Sequence, residues 1–168
     1  MIKPAYTFMM VLIIGILITA CNQNKVESKV DLINDEFPEA KAEIMKTFGE
    51  MGKSIKEGDI DKLISFHAYG PKFTEFKNGE PRNDGAANEA YERKLFGSVT
   101  EVVKFDAKDL QIAVYGDVAN VTFHSDFQLK FGEDLVTVND QITLLFVKTN
   151  EGWKMVHEHH SPLNKEEI

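Results

Sequence analysis

From Val99 onward the sequence is an unbroken succession of strand-like runs, at 100–115, 118–131, 135–148 and 153–161. They are separated by Gly116-Asp117, Gly132-Glu133-Asp134 and Asn150-Glu151-Gly152, turns short enough to join antiparallel neighbours as successive hairpins. The residues before Val99 read differently. Pro38 suits a first helical turn, and Ile44, Met45, Phe48, Met51 and Ile55 keep the spacing of one buried helical face until Gly58 stops it. Asp59 caps a short second helix through Leu63, Ile64 and Phe66. A short strand is expected at 72–76, then a turn-rich loop at 78–81. A third helix over 86–96, capped by Asp84 or Asn83, carries Ala87, Tyr91, Leu95 and Phe96 at helical spacing. Helices first and an antiparallel meander last predict an α+β fold, with about three N-terminal helices on one face of a curved sheet.

The chain has 168 residues, of which 31–163 form the expected domain and 164–168 a tail. With 43% hydrophobic and 27% charged residues the composition is that of an ordinary globular protein. A formal charge of -8 argues against nucleic acid as a partner, because neutralising phosphates takes clustered Lys and Arg.

The first 20 residues are expected to be an export signal. Lys3 precedes an apolar stretch at 5–20 that is shorter than the roughly 20 residues needed to span a bilayer. It ends in Leu17-Ile18-Thr19-Ala20-Cys21, which resembles a bacterial lipobox, and Cys21 is the only cysteine. We therefore expect a lipoprotein acylated at Cys21, held in the bacterial cell envelope on the extracytoplasmic side. Residues 21–30, polar but for Val26, are its flexible tether.

Three segments carry a family resemblance: Glu57-Gly58-Asp59, the run Ile112-Ala113-Val114-Tyr115-Gly116-Asp117-Val118-Ala119, and Gly152-Trp153-Lys154-Met155-Val156-His157-Glu158-His159-His160-Ser161. Together they resemble the nuclear transport factor 2-like superfamily, and within it the SnoaL-like branch, which includes the association domain of calcium/calmodulin-dependent protein kinase II. The resemblance implies a cone, a curved sheet wrapped over helices with a pocket between them, and a homodimer packed through the sheets. It does not fix the chemistry, since this fold hosts isomerases, dehydratases, cyclases and interaction modules.

Alternation places Ala119, Val121, Phe123, Phe127 and Leu129 on one face with Ser125, the single polar interruption on the side that meets the helices. Strict alternation in the last strand groups Lys154, Val156, Glu158 and His160 against Trp153, Met155, His157 and His159. Resemblance to the kinase association domain implies that Glu158 and His160 face the pocket. It also places Ser125 and Leu144 where that domain has arginines, and Arg93 where it has an acid. Against the steroid isomerases, Asp140 matches the second carboxyl and the base falls near Glu75 or Phe76. The tyrosine position falls at Met51, which cannot donate a hydrogen bond, so that activity is not expected.

The expected site is a cavity on which Arg93, Ser125, Glu158 and His160 converge, walled by Phe66, Phe73, Tyr91, Phe96, Phe123 and Leu144. The leading function is binding of a small, partly apolar molecule. The alternatives are an isomerase, dehydratase or cyclase using His160 and Glu158 as acid–base groups, and a noncatalytic dimerisation or interaction module. No cofactor is expected. His157, His159 and His124 share an outer face without a further ligand to complete a metal set, so no metal is expected there either. Trp153, Leu145 and Val147 on that face are the expected dimer contact.

Overall fold

The computed structural model describes residues 30–164, so the expected export signal, Cys21 and almost all of the tether lie outside the described residues. The helices fall where the punctuation puts them. Helix α1 (Pro38–Glu57) starts on its proline and ends at Gly58, whose φ of 70° is the left-handed C-terminal conformation that glycine adopts without a Cβ penalty. Helix α2 (Ile60–Ser65) is capped by Asp59, which accepts a hydrogen bond from the Lys62 N–H at 3.0 Å. Strand β1 (Thr74–Lys77) follows, then α3 (Gly85–Gly97), capped by Asp84 through the Ala87 N–H at 2.9 Å.

The meander comprises β2 (Glu101–Tyr115), β3 (Val118–Phe131), β4 (Asp134–Val138), β5 (Asp140–Thr149) and β6 (Gly152–Pro162). The sheet runs in the order β1-β6-β5-β3-β2, with β4 pairing on β3. Register shifts between Val102 and Lys104, and between Lys108 and Gln111, interrupt β2. Bulges of this kind bend a strand and sharpen its twist, which here curls the sheet over the helices. The core lies in that concavity and includes Ile44, Val121, Ile142, Phe146 and Met155.

Three features depart from expectation. The expected run 135–148 is two strands, because β3 pairs with β4 along its C-terminal part and with β5 along its N-terminal part. Strand β1 joins the sheet parallel to β6, beyond the antiparallel meander. Strand β6 contains a one-residue bulge: Leu145 pairs with His157 but Phe146 with Met155, so Val156 has no opposite number. The bulge resets the alternation. Trp153 and Met155 point inward before it, at 4% and 2% exposure, and Glu158 after it at 3%. Trp153 is therefore a core residue, with its indole N–H donating to Glu43 Oε2 at 2.9 Å, and does not belong to an outer apolar patch.

Candidate functional site

Between α1, α3 and the concave sheet lies a cavity of about 480 Å³. Its wall is largely apolar and rich in phenylalanine: Phe48 from α1, Phe96 from α3, Phe105 from β2, and Phe123 and Phe127 from β3. Phe105 and Phe127 stack at 3.8 Å between centroids, and Phe48 meets Phe123 edge-on at 5.2 Å. Gly49 and Gly52 present no side chain where α1 borders the space. A volume of this size falls in the range of about 300–1,000 Å³ common for small-molecule pockets.

One end is polar, and three separate elements build it. Strand β6 brings Glu158 and His160. Segment 66–68, just past α2, pairs with β6 through Met155 N–H to Phe66 O and Ala68 N–H to Met155 O, both 2.8 Å, which sets His67 beside Glu158. Helix α3 contributes Glu92. His67 Nε2 lies 2.9 Å from Glu158 Oε1 and its Nδ1 3.2 Å from the Leu63 carbonyl. Both partners are acceptors, so the two bonds form together only when both ring nitrogens of His67 carry protons. His160 Nε2 reaches the other oxygen, Glu158 Oε2, at 3.2 Å.

The two glutamates of the cavity are pushed in opposite directions. Burial pushes the Glu158 carboxyl up, but hydrogen bonds from His160 and His67 outweigh it and bring it to about 2. Burial holds Glu92 well above the ordinary carboxylate range, reinforced by the charge of Glu158. Glu92 has no hydrogen-bond or ion-pair partner among the described residues. Carboxyls separated in this way can serve as an ionised anchor and a proton donor within one site.

Behind this end a polar layer fills the space between α3 and β1. Tyr69 stacks on His67 at 4.8 Å and donates its hydroxyl to Asn88 Oδ1 at 2.6 Å. Burial raises the Tyr69 hydroxyl above its usual range. The Asn88 amide nitrogen and Glu75 Oε1 are buried without partners. The parallel register sets Glu75 beside Glu158.

Of the expected site residues, Glu158, His160, Phe96, Phe123 and Leu144 border the cavity, and five do not. Arg93 lies on the outer side of α3, paired with Asp61 at 2.7 Å and Glu89 at 2.9 Å. Tyr91 projects from another flank of α3, where Lys77 Nζ of β1 lies 3.5 Å from its ring. Ser125 is buried as a staple across the β4–β5 break: it donates to Val138 O at 3.2 Å and accepts from the Asp140 N–H at 2.7 Å. Phe66 and Phe73 are buried in packing away from the cavity. The apolar spacing that placed Tyr91 inward is misleading because α3 buries Asn88 and Glu92, a polar pair at i, i+4.

His67, Glu92 and Asn88 are absent from the site expected from sequence, and Glu75 enters there only through the steroid-isomerase comparison; the i, i+4, i+8 stripe Asn88–Glu92–Phe96 was open to reading. The outer histidines do not converge. His157 Nδ1 donates to Thr74 O at 2.9 Å, Phe76 lies beside both His157 and His159, and His124 pairs with Gln141 on β5. Among the described residues Glu75, Glu158 and His160 do offer ligand atoms within 4.8 Å of one another.

A sequence model of the SnoaL-like domain matches residues 44–165. No curated protein matches the chain. Among solved structures, a proposed dehydratase of the NTF2-like family from Streptomyces avermitilis is similar at 20% identity and a TM-score of 0.67, over 76% of this chain and 99% of that one. A proposed aromatic ring hydroxylase from Novosphingobium aromaticivorans is similar at 16% identity and 0.64, over 76% and 92%. A proposed Ca/calmodulin-dependent kinase II association domain from Exiguobacterium sibiricum is similar at 15% identity and 0.63, over 74% and 94%. At these identities the likeness is one of fold.

Proposed function

We propose that this chain, which belongs to the SnoaL-like domain family, is a lipid-anchored extracytoplasmic protein that binds a small, partly apolar molecule in its cone cavity. The observation that carries the reading is the cavity itself: about 480 Å³ with a phenylalanine-rich wall and a few polar groups gathered at one end. Aromatic walls supply apolar contact and the polar end supplies orientation, which is the usual division of labour in such pockets. The envelope address rests on the lipobox-like Leu17-to-Cys21 sequence.

The test is binding of bicyclic alcohols and ketones, with 2-naphthol as a fluorescent probe. Ala107→Phe, which fills the cavity, should abolish binding. His160→Ala should leave thermal stability nearly unchanged and weaken binding by roughly 1–3 kcal/mol, the cost of an unpaired buried polar partner. Probe affinity unchanged in Ala107→Phe would overturn the reading.

A second reading, an isomerase or dehydratase, is favoured by one observation: Glu92 is a buried carboxyl without a partner, on the same cavity as the His160–Glu158 pair. Such a group can deliver a proton to a bound oxygen while His160 takes one. Turnover of a bound ketone or alcohol lost in Glu92→Gln with binding retained would separate enzyme from receptor.

A further inference from the structure

The polar end holds two neighbouring carboxyl groups, of which Glu75 is only half partnered. Asn83 Nδ2 donates to Glu75 Oε2 at 2.9 Å, while Glu75 Oε1 is buried without a partner. His67 Nε2 is bonded to Glu158 Oε1 at 2.9 Å, while Glu158 Oε2 meets only His160 Nε2 at 3.2 Å. Glu75 is 1% exposed, so its lone oxygen has no water to turn to on an outer surface. A buried polar atom without a partner costs free energy that some bound group ordinarily recovers.

The register explains why the atoms converge. Parallel pairing puts Glu75 next to Glu158 across the β1–β6 ladder, and His160 lies two residues further along the same face of β6. One ligand atom from each of the three falls within 4.8 Å of the others. We propose that Glu75, Glu158 and His160 bind a divalent transition-metal ion of the zinc or manganese kind.

Two carboxylates balance the charge of such an ion, and the imidazole nitrogen selects against Mg²⁺ and Ca²⁺, which take oxygen ligands. His160 exchanges its bond to Glu158 for the ion. Asn83 and His67 hold the other carboxylate oxygens, the outer-shell support that metal-binding carboxylates ordinarily have. Three protein ligands leave a position open, and because Glu158 and His160 border the cavity that position faces its interior. An ion there would meet the polar group of the molecule assigned above to the cavity, with His160 acting as a ligand and not as a free base. The site itself does not require that molecule.

The experiment is calorimetric titration of the metal-stripped full-length chain with Zn²⁺, with Mg²⁺ and Ca²⁺ as controls, together with the visible spectrum of the Co²⁺-loaded protein. One Zn²⁺ should bind per chain, raise Tm and compete with Co²⁺, with no response to the controls. Loss of an outer-shell partner alone typically weakens binding by about 10–100-fold, so Glu75→Gln and His160→Ala should each do at least that. The double variant His157→Ala/His159→Ala should bind as the parent does. If Glu75→Gln does not fold, His160→Ala and the Co²⁺ spectrum decide. Silence towards Zn²⁺ and Co²⁺, or affinity lost only in the outer histidine variant, overturns the site. 2-Naphthol binding measured on the same samples tells this failure from failure of the ligand reading.

Discussion

Glu75 is paired with Glu158 in the parallel register of β1 and β6, so two buried carboxylates stand side by side on one face of the sheet. Like charges opposite each other on neighbouring strands destabilise a sheet unless other groups compensate. The compensation is divided. Asn83 serves Glu75, and His67 with His160 serves Glu158. The short edge strand thus contributes a charged group to the polar end at the cost of needing its own donors.

His67→Ala removes the buried imidazole beside Glu158 and leaves the carboxylate with one partner. Leaving a buried acceptor without its donor costs about 1–3 kcal/mol. Urea unfolding should show that loss, and Glu158→Ala added to His67→Ala should cost far less than the sum of the two single changes. Additive losses would mean that the two side chains are not coupled.

Stability should respond to pH through Glu92. An ordinary glutamate releases its proton near pH 4.5, whereas burial makes the folded state retain it. Between those points the native state binds more protons than the unfolded chain, so this group's contribution falls as pH rises. Glu92→Gln removes the penalty: the variant should melt above the parent at pH 8 and with it at pH 4. A variant equally shifted at both values would contradict the assignment.

Trp153 belongs to the core, so Trp153→Ala should cost about 3–5 kcal/mol in urea unfolding without changing the association state. The homodimer we propose rests instead on Leu145, Val147 and the 46%-exposed Phe76 on the outer face. Sedimentation of residues 31–168 should give a dimer at micromolar concentration and Leu145→Glu a monomer. A parent protein that sediments as a monomer would end that proposal.

Lipidation is the expectation that reaches beyond the described residues. Cys21→Ser should move the protein from the membrane fraction to the soluble one and abolish labelling with palmitate. Retention and labelling unchanged in that variant would exclude an anchor at this residue.

The helices were legible because their ends are local: Pro38, Gly58, Asp59 and Asp84 each act on the turn beside them. The facing of β3 was legible because Ala119, Val121, Phe123 and Leu129 alternate on one face with Ser125 as its one polar member. What escaped reading depends on distant partners. Val156 is an ordinary strand residue whose bulge exists only against β5, and strict alternation therefore misplaces Trp153. His67 gains its role by docking on Met155, and Glu75 by parallel pairing with β6, neither of which leaves a period in the sequence. On α3 the rule that apolar residues face inward fails because the inward stripe carries the polar groups of the site.

Gly49 and Gly52 give α1 an unusual freedom to diverge. Glycine within a helix costs about 1 kcal/mol relative to alanine, so each is a standing expense in stability. A methyl group at 49 would meet nothing within 4 Å, and one at 52 would make only ordinary contact with Phe105 at 3.8 Å. Larger side chains at these two places would occupy the chamber from the helix side, leaving the strand that carries Glu158 and His160 untouched. The size of guest a descendant accepts can therefore drift by single substitutions on α1 while the groups that address its polar atoms stay as they are.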